Sequence, residues 1–195
     1  MATIGLDKPY YSIITEDNDG NETYGTPKVL AKAIQADLTA NTSTATLYAD
    51  DGADETVIEF VNGTLSLGIN DLLPTVAADL IGAHVDKNGA LISSVEDIAP
   101  YVAVGFRAKK ANGKYRYFWL YRVKFGVPAT NLATKGESIT FQTPTIEGTI
   151  MRRNKVDALG NHPWKAEITE GDEGVTSATT DAWFSAVYEP VAPTP

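Results

Sequence analysis

The chain has 195 residues, 43% of them hydrophobic and 21% charged, with a formal net charge of -9. That is enough apolar material for one ordinary core and too little charge for a disordered or coiled-coil chain, so one domain is expected over residues 1–189 with a Pro-rich tail over 190–195. The absence of cysteine removes disulfides, thiolate nucleophiles and sulfur-ligated zinc, and no apolar run approaches the roughly 18 residues of a membrane helix.

The charge is unevenly placed. Residues 1–100 hold 16 acids and four bases, and residues 101–195 hold nine acids and 12 bases, giving -12 and +3. Such a split fits complementary surfaces within one molecule or between copies.

In chain order, the first signal is Glu16-Asp17-Asn18-Asp19-Gly20-Asn21-Glu22. Its oxygens lack the full calcium-loop pattern, and a hairpin turn around Asp-Gly accounts for it. Lys28 to Ala40 reads as a long strand through the shared parity of Leu30, Ile34, Ala36 and Leu38, and Thr44 to Ala49 as another. Asp50 to Glu55, with four carboxylates in six residues, reads as a solvated loop. Between Thr56 and Ile69 the apolar parity changes around Asn62-Gly63, which marks either a hairpin or a bulge in one strand. A flanking helix is expected over about 71–81: Asn70 or Asp71 caps it, Leu72, Val76 and Leu80 form its stripe, and Gly82 stops it.

The clearest hairpin joins Tyr101–Lys109 to Tyr115–Phe125. A two-residue Asn112-Gly113 turn would set Phe106 opposite Trp119, Val104 opposite Tyr121, Val102 opposite Val123 and Ala108 opposite Tyr117, all on one apolar face. The other face would then carry Arg107, Lys109, Arg116, Arg122 and Lys124, with Lys109 against Arg116. Like charges set opposite are unfavourable, so this face should meet acids from elsewhere. Asp50, Asp51, Asp54 and Glu55 of another copy are the expected source, making these nine residues the candidate subunit or ring interface. Further strands are expected at Ser138–Thr143, Thr145–Met151, Trp164–Thr169 and Trp183–Tyr188, so the fold class is mainly β with one helix.

Nothing points to catalysis. Only His84 and His162 offer an imidazole base, and both sit in loop-like sequence. Phosphate-loop, HExxH and paired-carboxylate signatures are missing, so no enzyme, metal or cofactor is expected. The basic hairpin interleaves cations with aromatics as single-strand binders do, yet the overall acidity argues against nucleic-acid affinity.

Several stretches resemble the major tail protein family of long-tailed phages of Gram-positive bacteria. They are the opening Ala2-Thr3-Ile4-Gly5-Leu6-Asp7-Lys8-Pro9-Tyr10-Tyr11, then Ala45 to Glu55, Gly63 to Gly68, Tyr101 to Arg107, Tyr115 to Phe125 and Thr143 to Ile150. The resemblance spans nearly the whole chain, to about Tyr188. It implies a β-sandwich or small barrel flanked by a helix, six copies to a ring, and rings stacked into a hollow tail tube for DNA ejection. The partners it implies are the chain itself, the tape measure protein and tail-tip or terminator proteins, with DNA only in transit, no membrane, and a virion location after assembly in the host cytoplasm. The alternative is a β-sandwich binding module for carbohydrate or receptor recognition, with Trp164, Trp183 or exposed tyrosines as platforms.

Overall fold

The computed structural model describes residues 2–18, 20–130, 132–134 and 141–192. The chain is mainly β, and most of it is one antiparallel sheet. β1 (Thr3–Glu16) turns through Gly20, at φ 79°, into β2 (Glu22–Tyr24), and β3 (Lys28–Val29) pairs with β1 at Tyr10 and Tyr11. β4 (Ala33–Ala49) and β5 (Gly52–Ile69) form a long hairpin, followed by α1 (Pro74–Ile81) and the small hairpin of β6 (His84–Val85) and β7 (Leu91–Ile92). β8 (Val102–Lys110), β9 (Tyr115–Phe125), β10 (Thr145–Met151), β11 (Lys165–Thr169) and α2 (Ser177–Ala182) complete the chain. The sheet runs β2-β1-β8-β9-β10-β5-β4, with β11 also on β9 and β3 on β1.

Both faces of the sheet are covered, as in a sandwich. One core gathers Tyr11, Leu65, Leu67, Ile69, Val104, Leu120 and Ile146 beneath Val76, Leu80 and Ile81 of α1. The other sets Ala103, Tyr117, Trp119 and Tyr121 against Trp183 and Val187. The sheet curls until Ala36 and Leu38 of β4 pack on the same core as Leu6 of β1. No hydrogen-bonded ladder joins those two strands among the described residues.

The β8–β9 register differs from the expected one because the turn has three residues. Lys110 donates its N–H to the Lys114 carbonyl at 2.8 Å and Gly113 donates to the Lys110 carbonyl at 3.0 Å, with Gly113 at φ 84°. This is the three-residue loop with a left-handed glycine. Phe106 therefore faces Phe118, Gly105 faces Trp119, Val104 faces Leu120, Arg107 faces Tyr117, Ala108 faces Arg116 and Lys109 faces Tyr115. Beyond Val104 a bulge sets Tyr121 and Arg122 against Ala103 alone, which restores the expected Val102–Val123 pair. Consequently Tyr117, Trp119 and Tyr121 lie on the face opposite Phe118, Leu120, Val123 and Phe125, and β9 is apolar on both sides.

The Asn62-Gly63 alternative resolves to a bulge. Asn41 pairs with Asn62 and Thr42 with Phe60, so Val61 is the extra residue. Lys28–Ala40 is not one strand, because Leu30–Lys32 leaves the ladder and the strand resumes at Ala33, running through Thr44–Ala49 without a break. The loop expected at Asp50–Glu55 contracts to Asp50 and Asp51, both at positive φ (46° and 61°), with Ala49 paired to Gly52. Two successive left-handed residues make a tight hairpin turn whose twist matches that of the strands.

α1 starts later than expected. Leu73 is its N-cap without a side-chain hydrogen bond, and Pro74 occupies the first turn, where the missing N–H costs nothing. Asn70 instead accepts from the Lys32 N–H at 2.9 Å, and Asp71 from the Leu72 N–H at 2.8 Å. Gly82 does end the helix, at φ 76°, and a Cβ there would stand 2.2 Å from the Ile98 carbonyl oxygen.

Trp183–Tyr188 is not a strand, and a second helix, α2, precedes it. Thr176 caps α2 through its side chain, and the next turns lay Trp183 and Val187 across the sheet. Trp183 and Val187 alone satisfy helical and alternating spacing alike, and in the structure the chain after Ala182 is neither, running through a turn and a bend at 183–186 into irregular chain. The expected Ser138–Thr143 strand falls mostly outside the described residues, and 141–143 carries no strand.

Candidate subunit interface

The feature that carries no core of its own is the outer half of the β4–β5 hairpin. From Thr42 to Ala49, eight residues at about 3.3 Å each, it reaches about 26 Å as a bare two-stranded ribbon. Nearly every residue of this stretch and its partner strand is exposed, including Leu47, Tyr48, Val57, Ile58 and Val61. The Val61 bulge has a structural purpose here. By absorbing one residue, it keeps Phe60 and Ile58 of β5 opposite Thr42 and Thr44, in line with Leu38–Leu65 and Ala36–Leu67 of the core. The core face thus continues onto the arm, uncovered and uncharged.

The arm is anchored at its base by Phe60, which stacks on Trp164 with ring centroids 4.6 Å apart and planes 4° from parallel. Gly63 helps the strands close there, since a Cβ would stand 2.9 Å from the Thr39 carbonyl oxygen. From Ala33 to Ile69 the hairpin holds six acids (Asp37, Asp50, Asp51, Asp54, Glu55, Glu59) and no base. Asp50, Asp51, Asp54 and Glu55 cluster at the tip, exposed, and make no ion pair among the described residues.

The basic residues do not share one face, because the three-residue turn and the bulge redistribute them. Three are paired within the chain. Arg107 donates two hydrogen bonds to Asp7, at 2.6 and 2.8 Å, and stacks over Tyr115; that carboxylate raises its pKa above the usual guanidinium value against a smaller opposing effect of burial. Arg116 lies 3.5 Å from Glu167. Arg122, on the β9 bulge, donates to Glu16 and Glu22 and lies over the Tyr101 ring. Burial opposes its charge, but hydrogen bonds to Glu16, Tyr101 and Glu22 outweigh that, so its pKa is also raised.

Acids from β1, β2 and β11 thus neutralise much of what was expected to await another copy. Lys124 sits 5.2 Å from the centre of the Tyr101 ring, and Lys109 makes no ion pair among the described residues. The nine residues therefore fall in two regions: the exposed acids at the arm tip, and basic groups divided between internal pairs and solvent.

Sequence reasoning did not single out the Phe60–Trp164 stack, Leu47 or Tyr48. The signal available was the run of alternating Thr and aliphatic residues on both sides of a positive-φ turn. Of the possible aromatic platforms, Trp183 is 1% exposed, and one face of Trp164 is taken by Phe60. His84 stands exposed on β6, and His162 Nδ1 lies 3.1 Å from the Arg153 carbonyl oxygen. Among the described residues no group of three or more His, Asp or Glu is arranged to hold a metal, and no helix is long and apolar enough to cross a membrane. No family model and no curated protein matches the chain.

Proposed function

We infer that this chain is a structural subunit that assembles with itself, and that its product is the stacked hexameric rings of a phage tail tube. The observation that carries the reading is the arm. A two-stranded ribbon without a core beneath it is marginal in water, and its free edges and apolar side chains invite pairing with another chain. A stretch of such length fits an element completed on assembly. The resemblance in sequence supplies the kind of assembly: a tube built from copies of this chain, measured by the tape measure protein, closed by tip and terminator proteins, and placed in the virion.

Charge supports the same reading. A conduit for DNA works best when its wall offers few cations for counterion-releasing contacts, and the chain carries -9. The internal pairing of Arg107, Arg116 and Arg122 lowers the number of free cations further.

Negative-stain electron microscopy of the purified chain over a range of concentration and salt, with mass measured on the same samples, tests the proposal. Rings or hollow tubes are the expected result. Monomers alone, with tail-tip components and tape measure protein added as nucleators, would overturn it in favour of a binding module.

A further inference from the structure

The arm presents exposed apolar and acidic side chains at its tip, and the body presents an open cleft. Between the unpaired edge of β1 near Thr3–Leu6 and that of β4 near Ile34–Leu38 lies an open cleft of about 440 Å³. Leu6, Leu38, Phe106 and Phe118 make its apolar floor, and no carboxylate lines it. Arg116 lines it as well, and Lys110, paired with Thr3 across β1 and β8, stands at the same end. Lys110 makes no ion pair among the described residues.

We propose that this cleft receives the arm tip of a second copy of the chain. Leu47 and Tyr48, 57% and 72% exposed, enter it, and Asp50, Asp51, Asp54 and Glu55 meet Lys110 at its mouth, with Arg116, itself 3.5 Å from Glu167, adding a weaker attraction. The chemistry is complementary on each count: exposed apolar side chains ringed by carboxylates on the tip, and an apolar floor with cations and no acids in the cleft. An opening of this size holds a few side chains rather than a whole ribbon. The free strand edges beside it offer backbone groups to the incoming turn.

The contact must be made in trans. β4 itself starts at the cleft and runs away from it, and the ten residues from Leu38 to Tyr48 carry the tip about 33 Å off. Each copy therefore has one donor tip and one acceptor cleft on different parts of its surface. Such a head-to-tail contact closes into rings or propagates as stacks, which a two-fold dimer contact would not do. The inference rests on the self-assembly reading and assigns its acceptor site.

The absence of cysteine makes the test direct. Full-length Ala49→Cys is mixed with full-length Thr3→Cys, or with Ser185→Cys on the opposite, α2-covered side of the sheet, under conditions that give assemblies, and is then oxidised. The Ala49–Thr3 disulfide, identified by mass spectrometry of the joined peptides, is expected to exceed the Ala49–Ser185 product by at least about tenfold. Adding Lys110→Glu to the acceptor should lower its yield about fivefold, and Asp51→Lys in the donor should restore it. Tubes without this cross-link, or with equal yields at both positions, overturn the cleft assignment and leave the tube reading standing. The cross-link without tubes supports the cleft and counts against the tube. Neither cross-link nor assembly overturns both.

Discussion

Replacing Arg122 by Leu tests how the sheet edge is held together. Arg122 bridges Glu16 and Glu22, and the Glu22 side chain is completely buried while that of Arg122 is 9% exposed. Glu22 also accepts backbone N–H bonds from Asn154 at 2.9 Å and Lys155 at 3.2 Å, so it ties β2 to the segment after β10. Removing one member of a buried ion pair costs about 3–5 kcal/mol, because the charge left behind stays desolvated. The two remaining N–H donors place Arg122→Leu toward the low end, at about 3 kcal/mol. For a chain of this length that is a fall in melting temperature of about 6–12 °C.

Glu22→Gln should cost less by itself, since the amide still accepts from both N–H groups. The double variant should be more stable than the sum of the two single losses by at least about 1 kcal/mol, the signature of direct coupling. Urea unfolding followed by tryptophan fluorescence measures all four species. An Arg122→Leu loss below about 0.5 kcal/mol, or strict additivity, would refute the reasoning, since surface ion pairs behave that way.

Other consequences are independent of that pair. Gly105→Ala should destabilise the fold by about 1–3 kcal/mol in the same unfolding assay, because the new Cβ would stand 2.9 Å from the Trp119 ring in a packed core. Excising residues 43–59 and joining Thr42 to its partner Phe60 with a two-residue turn should leave the melting temperature within about 3 °C of the parent, because those residues bury so little, while abolishing assembly seen by sedimentation. Tyr11, Tyr24 and Tyr121 have phenols held well above the ordinary value of 10.0, chiefly by burial. Their contribution to stability is complete below pH 10 and is lost as the pH rises toward the folded values, so spectrophotometric titration should show three of the nine tyrosines ionising only with alkaline unfolding. Asp79 is the opposite case. Burial raises its pKa, but hydrogen bonds from Lys28 and Tyr11 bring it below the ordinary 3.8, so its contribution is full above that value and declines as the pH falls through the lower one. Asp79→Asn should remove that part of the acid sensitivity of the melting temperature.

Much of the fold was legible in local pattern. Alternation marked the β8–β9 hairpin and β10, the stripe of Val76 and Leu80 with Gly82 marked α1, and the parity change near Asn62-Gly63 marked an irregularity without choosing between a hairpin and a bulge. These signals are read from side-chain period and from glycine's tolerance of positive φ, both properties of short windows of chain. Where two local solutions were equally good, the sequence did not choose. Asn112-Gly113 suits a two- or a three-residue turn, and Trp183 with Val187 suits a strand or a helix.

Tertiary structure decided those cases because one residue of register moves every side chain to the other face of a sheet. The three-residue turn and the Tyr121–Arg122 bulge sent Trp119 toward Trp183 rather than Phe106, and dispersed a basic face that simple pairing would have created. Which cations found acids was likewise a matter of distant strands. Asp7 and Arg107 are 100 residues apart, and so are Glu22 and Arg122. Composition pointed to a chain that would fold, period-two alternation to a mainly β class, and the order of the charges to a strongly acidic first half. Only packing determined that this acidity stands at the end of an arm reaching beyond the core, since exposure follows from which neighbours cover a strand and not from its own pattern.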